Sequence, residues 1–415
     1  MKRETRDVSI LVQKYGGTSV ATPEHVKNVA RRVVESQNEG KAVVVVVSAM
    51  GKTTDQLVSL AREVSDRPPR REMDMLLHAG EIISASLLAM AIQRQGTPAV
   101  SFTGSQAGMI TDETHQQARI RKVDAGRVLR ELTNGRVVVI AGFQGMTAER
   151  EITTLGRGGS DTSAVAFAVA IGADQCEILT DVDGVYTADP RVVEKPRKLA
   201  WCSYDEMLEM ASLGARVLHS RSVEIARRFD VPLLVSSSFA RVPGTWICSP
   251  EVGRKEFAAM EDVAIRGVAH NDSVTKISLI GVPDQPGIAA RIFECVSRHG
   301  VNIQLIVQAE HHAGTNDISF LVPSDSLPHV RGDLEGMAEG LGGARMVVDE
   351  SVGTVSAVGD GVQSEPGIAA RMFSALARGG INIDLISTSN LMITCVVGRD
   401  QLEDAVRAVH REFLE

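Results

Sequence analysis

The chain has 415 residues, enough for two or three domains rather than one, and its 44% hydrophobic and 23% charged residues can build a large buried core. A net charge of −8 argues against nucleic acid or an anionic membrane as the main partner, while leaving room for a local basic pocket that takes an anion. Aromatic residues are only 4%, so the core must rest on Val, Ala, Leu and Ile. Cys176, Cys202, Cys248, Cys295 and Cys395 show no metal-ligand spacing, and an odd number in mostly apolar contexts suits reduced thiols in a cytoplasmic protein. Met1 to Asp7 is charged and does not read as a signal peptide. The longest aliphatic run, Ala42 to Val47, falls far short of the roughly 20 residues that span a bilayer.

Ser9 to Gln13 reads as a buried strand, followed at once by Lys14-Tyr15-Gly16-Gly17-Thr18-Ser19. Ligands of open α/β sheets bind at the carboxyl edge, so Lys14 is a candidate to bridge phosphate oxygens beside bare glycine backbone. The plain alternative is a surface lysine before a turn. Pro23 to Glu35 has helical spacing. Lys41 to Val47 is a second buried strand, ending in Ser48-Ala49-Met50-Gly51-Lys52-Thr53-Thr54. The Gly-Lys-Thr is not a P-loop, because Val46 stands where that motif needs its first glycine. Ser48 and Thr54 can hold a small polar substrate, or simply cap the next helix. Met73 to Gln93 is a long helical pattern with Glu81 set among apolar residues. A carboxylate there is costly unless paired, so it either meets a substrate ammonium or lies on an exposed turn. Val100 to Phe102 and Arg136 to Ala141 read as strands, the second leading into Gly142-Phe143-Gln144-Gly145.

The densest signal is Thr153 to Asp174. A glycine loop, Gly156-Arg157-Gly158-Gly159, runs into Ser160-Asp161-Thr162, residue types favoured at a helix N-cap, and then into an apolar helix, Ala164 to Ile171. Such a junction can hold a phosphate on convergent N–H groups, or be an ordinary βα turn. Cys176 to Leu179 is another strand, ending in Thr180-Asp181-Val182-Asp183-Gly184-Val185-Tyr186-Thr187-Ala188-Asp189-Pro190-Arg191. These acids lack the closing Glu of a calcium loop, and a nucleotide-gripping loop fits better. Ser203 with Glu206 forms a capping box for a helix to Leu213. Arg216 and His219 follow, and His219 reads as a satisfied structural histidine. Strands ending in glycine or hydroxyl loops, separated by helices, imply a three-layer α/β/α domain with a mostly parallel sheet.

KYGGTS, SAMGKTTD, the Glu81 helix, TTLGRGGSDTSA and TDVDGVYTADPR, in this order, resemble the amino-acid kinase family and, within it, the aspartokinases. The resemblance implies that Lys14 contacts the transferred phosphoryl group, with Gly16 and Gly17 beside it, and that Asp161 organises Lys14. It implies that Ser48, Thr54, Glu81, Arg157 and Ser160 hold aspartate. It also implies that Thr180, Asp181, Tyr186, Arg191 and Arg216 line a nucleotide site for ATP with Mg²⁺ on its phosphates. Tyr15 stands where Phe is usual.

Beyond Met260 a repeat appears, with VPDQPGIAARIF at Val282 to Phe293 matching VQSEPGIAARMF at Val362 to Phe373. Each unit reads strand, Pro-Gly turn, helix, strand, strand, helix, which is a ferredoxin-like α+β module. Units of this size should pair. The pair resembles tandem ACT domains, which implies amino-acid effectors (lysine, threonine or both) at Asp284, Gly287, Asn302 and Gln308, with Asn382 on the second unit. A dimerisation module without ligand is the alternative. Asn390 and the loop Glu310-His311-His312-Ala313-Gly314 depart from the usual pattern and leave the effector open. The division expected is a catalytic domain over 1–250 and ACT domains over 260–350 and 351–415. The chain is expected to form a homo-oligomer, or to assemble with a short ACT-only subunit starting at Met260.

The implied reaction is phosphoryl transfer from ATP to the side-chain carboxylate of L-aspartate. Competing readings are a kinase for glutamate or N-acetylglutamate, and a non-catalytic amino-acid sensor. Glu81 favours a free ammonium over an acylated one, and the intact Lys14, Arg157, Ser160 and Asp161 set speaks against decay.

Overall fold

The computed structural model describes residues 8–214, 217–257, 264–312 and 314–415, which form two compact units. The first holds the chain up to Val185, Lys198–Ala211 and the described residues from 217 to 257. The second holds Tyr186–Arg197, a short piece from Ser212, and everything described from residue 264 onward.

The first unit runs β1 (Ile10–Tyr15), α1 (Pro23–Asn38), β2 (Ala42–Val47), α2 (Thr53–Val64), α3 (Arg70–Gln93), β3 (Ala99–Phe102), β4 (Met109–Thr111), β5 (Ile120–Val123), α4 (Gly126–Thr133) and β6 (Val137–Ala141). It continues with β7 (Gln144–Met146), β8 (Ile152–Thr154), α5 (Gly159–Ile171), β9 (Gln175–Thr180), β10 (Trp201–Ser203), α6 (Tyr204–Ser212), α7 (Ser220–Phe229), β11 (Leu233–Ser237), β12 (Thr245–Cys248) and α8 (Pro250–Phe257). Eight strands form the main sheet in the order β10-β12-β11-β9-β1-β2-β6-β3. Pairing is parallel from β11 through to β3, and only β12 meets β11 antiparallel.

The centre of this sheet is covered on both faces, which is why β2 and β6 read as unbroken Val and Ile runs rather than alternating ones. On one face Tyr15, Val43, Val45, Val47 and Val139 pack against Val26, Val29 and Val33 of α1 and Leu88 and Ile92 of α3. On the other, α5 packs on β1, β2, β9 and α7, with Phe167 fully buried. Tyr15 is fully buried too, and its hydroxyl lies 3.3 Å from Gln13 Oε1. Among the described residues α3 is the one helix long and apolar enough to cross a membrane, but it serves here as a core helix, burying Leu77, Leu88 and Ile92 together with the carboxylates of Asp74 and Glu81.

The sequence reading did not foresee the small sheet β5-β4-β7-β8. Its strands are three or four residues long, too short to show a period. The capping box on α6 is present: Glu206 N–H donates to Ser203 Oγ at 3.1 Å, and Ser203 N–H to Glu206 Oε2 at 2.8 Å.

The second unit runs β13 (Gly267–Asn271), β14 (Val274–Pro283), α9 (Ile288–Arg298), β15 (Ile306–His312), β16 (Thr315–Pro323), α10 (Leu327–Gly340) and β17 (Arg345–Asp349). Then come β18 (Val352–Val358), α11 (Gly361–Ser364), α12 (Ile368–Arg378), β19 (Leu385–Thr388), β20 (Met392–Gly398) and α13 (Leu402–Leu414). Two antiparallel four-stranded sheets result, β15-β16-β14-β17 and β13-β18-β20-β19. The repeat is visible in the backbone: Gly287 and Gly367 both cap a helix at φ 95°, and Gly300 and Gly380 both sit at φ 68°. β13 precedes the first repeat in the chain but pairs with β18 of the second. Tyr186–Arg197 is built into this unit, placing Ala188 and Val193 in a core with Val355, Met372 and Val409. Thr187 Oγ1 lies 3.0 Å from His410 Nε2 in the same core.

Phe167 fixes the helix that carries Ser160 and Asp161. Phe167→Ala should destabilise the first unit by about 3–5 kcal/mol, read as a lowered urea midpoint of its unfolding transition.

Candidate active site

Lys14 lies inside β1, one residue from its end, rather than in a turn beyond it. The pleat sends Gln13 and Tyr15 toward α1 and α3, and Lys14 to the opposite face, toward α5. There its Nζ pairs with Asp161 Oδ1 at 2.6 Å, with the two side chains only 11% and 13% exposed. The neighbouring strand tips converge on the same edge. Gly17 accepts from Gly51 N–H at 3.0 Å, and a Cβ on Gly17 would sit 2.8 Å from the Ala49 carbonyl oxygen. Ser48 N–H donates to the Tyr15 carbonyl at 3.1 Å, and Gly142 N–H to that of Val47 at 3.0 Å. A Cβ on Gly142 would meet Ser160 Oγ at 3.0 Å, so this glycine makes room for the serine. Thr54 is half-buried in the first turn of α2.

Glu81 is 3% exposed, which removes the exposed-turn alternative. It is aimed at the same edge because Gly80 lets α3 approach Ala49; a Cβ there would lie 2.8 Å from the Ala49 side chain. Oε1 accepts from Ala49 N–H at 3.1 Å, whereas Oε2 is buried without a partner. Burial pushes its pKa up to about 7, against the opposing pull of the Ala49 hydrogen bond. A buried carboxylate with one free oxygen is suited to receive a cationic group.

The glycine loop differs from the sequence expectation in one respect. Gly158, in the left-handed region at φ 67°, is the N-cap, so Ser160, Asp161 and Thr162 lie within the first turn of α5. The cap must be glycine, since a Cβ on Gly158 would fall 2.3 Å from the His219 ring. The shift brings Asp161 onto Lys14. His219 is not the satisfied histidine expected from the sequence: its Nδ1 is buried without a partner. Burial holds its pKa down, with the Asp161 charge opposing. Arg157 is exposed and meets no acceptor among the described residues.

Beyond β9, Thr180 Oγ1 donates to Asp181 Oδ1 at 2.9 Å. The Thr180 carbonyl accepts from Ser238 N–H at 2.8 Å and Ser238 Oγ at 3.0 Å, and Ser19 Oγ donates to Ser238 at 2.8 Å. The sequence reading missed Ser238, although Ser236-Ser237-Ser238 is one more hydroxyl run at a strand tip. Tyr186 and Arg191 belong to the second unit, where Asp189 engages the Arg191 guanidinium through Nη2 at 2.6 Å and Nε at 3.1 Å. Arg216 and Met260 lie outside the described residues. Of the effector candidates, Asp284 accepts from Asn316 at 3.0 Å, Gly287 caps α9, and Asn302, Gln308 and Asn382 are exposed, as is Asn390. A cavity of about 530 Å³ lined by Arg32, Lys198, Leu234, Arg241 and Trp246 touches none of the site residues of this edge.

An open parallel sheet whose carboxyl edge gathers an ammonium, two carboxylates, hydroxyls and glycine turns defines an α/β enzyme that handles small charged metabolites. The amino-acid kinase family model matches residues 9–237, and an ACT-domain model matches 277–334 and 355–413. An aspartokinase of Mycolicibacterium smegmatis is 49% identical over 98% of this chain and 96% of its own length. One of Corynebacterium glutamicum is 46% identical over the same shares. Among solved structures, E. coli aspartokinase III in complex with aspartate and ADP (R-state) superposes with a TM-score of 0.81 at 25% identity, covering 98% of this chain and all of that one. The same enzyme with lysine and aspartate (T-state) gives 0.77 at 26%, again covering 98% of this chain and 100% of that one. The chain belongs to the amino-acid kinase family, in its aspartokinase branch with tandem ACT domains.

The raised pKa of Glu81 has a stability consequence. In the window from about 4.5 to about 7 the unfolded chain has released this proton and the folded chain keeps it, so the Glu81 contribution falls as pH rises. Glu81→Gln should therefore stabilise the unliganded first unit at pH 8, by an amount on the order of 3 kcal/mol, and flatten its stability between those pH values. The same variant should raise KM for the amino-acid substrate at least tenfold. Urea unfolding at pH 5 and pH 8, beside steady-state kinetics, checks both.

Proposed function

We propose that this enzyme transfers the γ-phosphoryl group of ATP to the side-chain carboxylate of L-aspartate, giving 4-phospho-L-aspartate and ADP, with feedback by amino acids on the ACT unit. The observation that carries the reading is the buried Lys14–Asp161 pair beside Gly16, Gly17 and Ser160 at the sheet edge, together with the buried Glu81 whose Oε2 has no partner. The side chain of aspartate is ionised at neutral pH, with a pKa of about 4, and needs no general base. Its obstacle is repulsion between two anions. Alignment and positive charge overcome that, the main tools of phosphoryl transfer.

In this reading one carboxylate oxygen of aspartate attacks the γ-phosphorus while the bond to the β,γ-bridging oxygen breaks, and ADP carries the electron pair away. Lys14 lies against the transferring group, and Asp161 keeps its ammonium in place. Arg157 binds a substrate carboxylate in a fork, Glu81 takes the ammonium, and Ser48, Thr54 and Ser160 supply hydroxyls. The free Glu81 oxygen favours an unacylated amino acid over N-acetylglutamate. Thr180, Asp181, Tyr186, Arg191 and Arg216 are assigned to the nucleotide. Mg²⁺ is assigned to the phosphates, held chiefly by phosphate oxygens and water. Bound there, Mg²⁺ would neutralise charge on the phosphates.

The division into 1–250, 260–350 and 351–415 is proposed with β13 lent to the second ACT sheet. Asp284, Gly287, Asn302, Gln308 and Asn382 are assigned to a lysine or threonine effector. Pairing of ACT units into a homo-oligomer, or with a short subunit starting at Met260, is part of the same proposal. Five free, buried cysteines suit a cytoplasmic setting.

Lys14→Ala should lower kcat in an aspartate-dependent ADP-release assay by about 10²–10³ while circular dichroism stays unchanged. Turnover within twofold of the parent would refute the role given to Lys14.

A further inference from the structure

Asp74 is a fully buried carboxylate that the reaction, as derived above, leaves unused. It is nonetheless heavily committed. Thr154 Oγ1 donates to its Oδ1 at 2.6 Å. The Gln116 N–H reaches both oxygens, at 3.1 and 3.2 Å, and His115 Nδ1 lies 2.7 Å from Oδ2. Gln116 sits at φ 69°, in the left-handed region that a non-glycine residue enters at a cost, so the carboxylate holds a strained backbone. The Gln116 carbonyl in turn abuts Gly156, where a Cβ would lie 2.8 Å away.

A second helix grips the same two segments. Arg221 of α7 donates from Nη1 to the Leu155 carbonyl at 3.1 Å and from Nη2 to the Ala118 carbonyl at 2.8 Å. The segments are also joined directly, Ala118 N–H to the Thr154 carbonyl at 3.0 Å. Thr154 and Leu155 lead straight into Gly156 and Arg157. The turn that presents Arg157 is thus clasped by a buried carboxylate from α3 and a guanidinium from α7, each bound to one residue leading into it and to the 115–118 segment between β4 and β5.

We propose that Asp74 and Arg221 are positioning residues that set the aim of Arg157 through the Thr154–Gly158 turn, without touching substrate. The clasp matters because Arg157 meets no hydrogen-bond or ion-pair partner among the described residues, so its backbone governs where the guanidinium can reach. A misplacement of about 1 Å at such a group is worth about 10²-fold in rate. The inference rests on the reading of Arg157 as the partner of a substrate carboxylate.

The test uses the full-length enzyme and the ADP-release assay, with KM for aspartate and for ATP measured separately. Arg157→Ala first tests the underlying reading: if KM for aspartate does not rise, the assignment of Arg157 is wrong, whatever the clasp does. Given that rise, Asp74→Asn and Arg221→Gln should each raise KM for aspartate about tenfold and leave KM for ATP within twofold. Asp74→Asn placed in the Arg157→Ala background should add less than twofold, since the clasp acts through Arg157. Gln116→Gly should recover most of the loss in Asp74→Asn, because glycine holds the left-handed backbone unaided. An unchanged KM for aspartate, an equal change in both KM values, or an undiminished effect in the Arg157→Ala background would overturn the proposal. Should Asp74→Asn fail to fold, Arg221→Gln, alone and combined with Arg157→Ala, decides by the same criteria.

Discussion

The catalytic unit depends on one ion pair placed where the sheet ends. Lys14 would be expensive to bury alone, and Asp161 equally so; at 2.6 Å each offsets the desolvation of the other. Their meeting requires three separate features: the pleat that turns Lys14 away from Tyr15, the parallel register that sets β1 between β2 and β9, and the glycine cap that starts α5 early enough to put Asp161 in its first turn. The hydroxyls and glycine turns arranged about the pair follow from the same register, because parallel strands end their βα loops on one edge. A pre-formed cation there spares the reaction the reorganisation that water would need to stabilise the same charge.

The supporting structure is polar rather than apolar. Glu81, Asp74 and Arg221 are buried or half-buried ionisable groups, and each is tied to at least one main-chain group, Asp74 also meeting the side chains of His115 and Thr154. Main-chain groups held this way fix loop geometry. The aromatic-poor, Val-rich sheet gives a rigid platform, and these few polar ties register the loops upon it. Glu81 illustrates the cost, its ionised form disfavoured by burial so that the site can discriminate an ammonium.

Much of this was legible in the sequence where the information is local. Lys14 beside Gly16 and Gly17, the Gly156–Gly159 loop and the Ser203–Glu206 capping box each lie within a few residues, and short-range chemistry names them. The 80-residue repeat was legible because it is written twice, and Gly287 and Gly367 do adopt the same φ. Other features were hidden for physical reasons. Asp74 looks like any helix carboxylate until Thr154, 80 positions away, and Gln116, 42 away, fold onto it. The cap of α5 falls at Gly158 rather than among Ser160, Asp161 and Thr162, and the His219 ring occupies the space a side chain at 158 would need. The pairing of β13 with β18 joins strands separated by a whole repeat, and no local pattern encodes it. Likewise, TDVDGVYTADPR is one string in sequence, yet from Tyr186 onward it is folded into the core of the second unit.

The most direct measurement is a crystal structure of the enzyme with aspartate and a non-hydrolysable ATP analogue. The account requires the terminal phosphate to lie within hydrogen-bonding distance of Lys14 Nζ, against the backbone at Gly17 and Gly158, with the aspartate ammonium on Glu81. A terminal phosphate bound away from Lys14, with the Lys14–Asp161 pair left undisturbed, would contradict it.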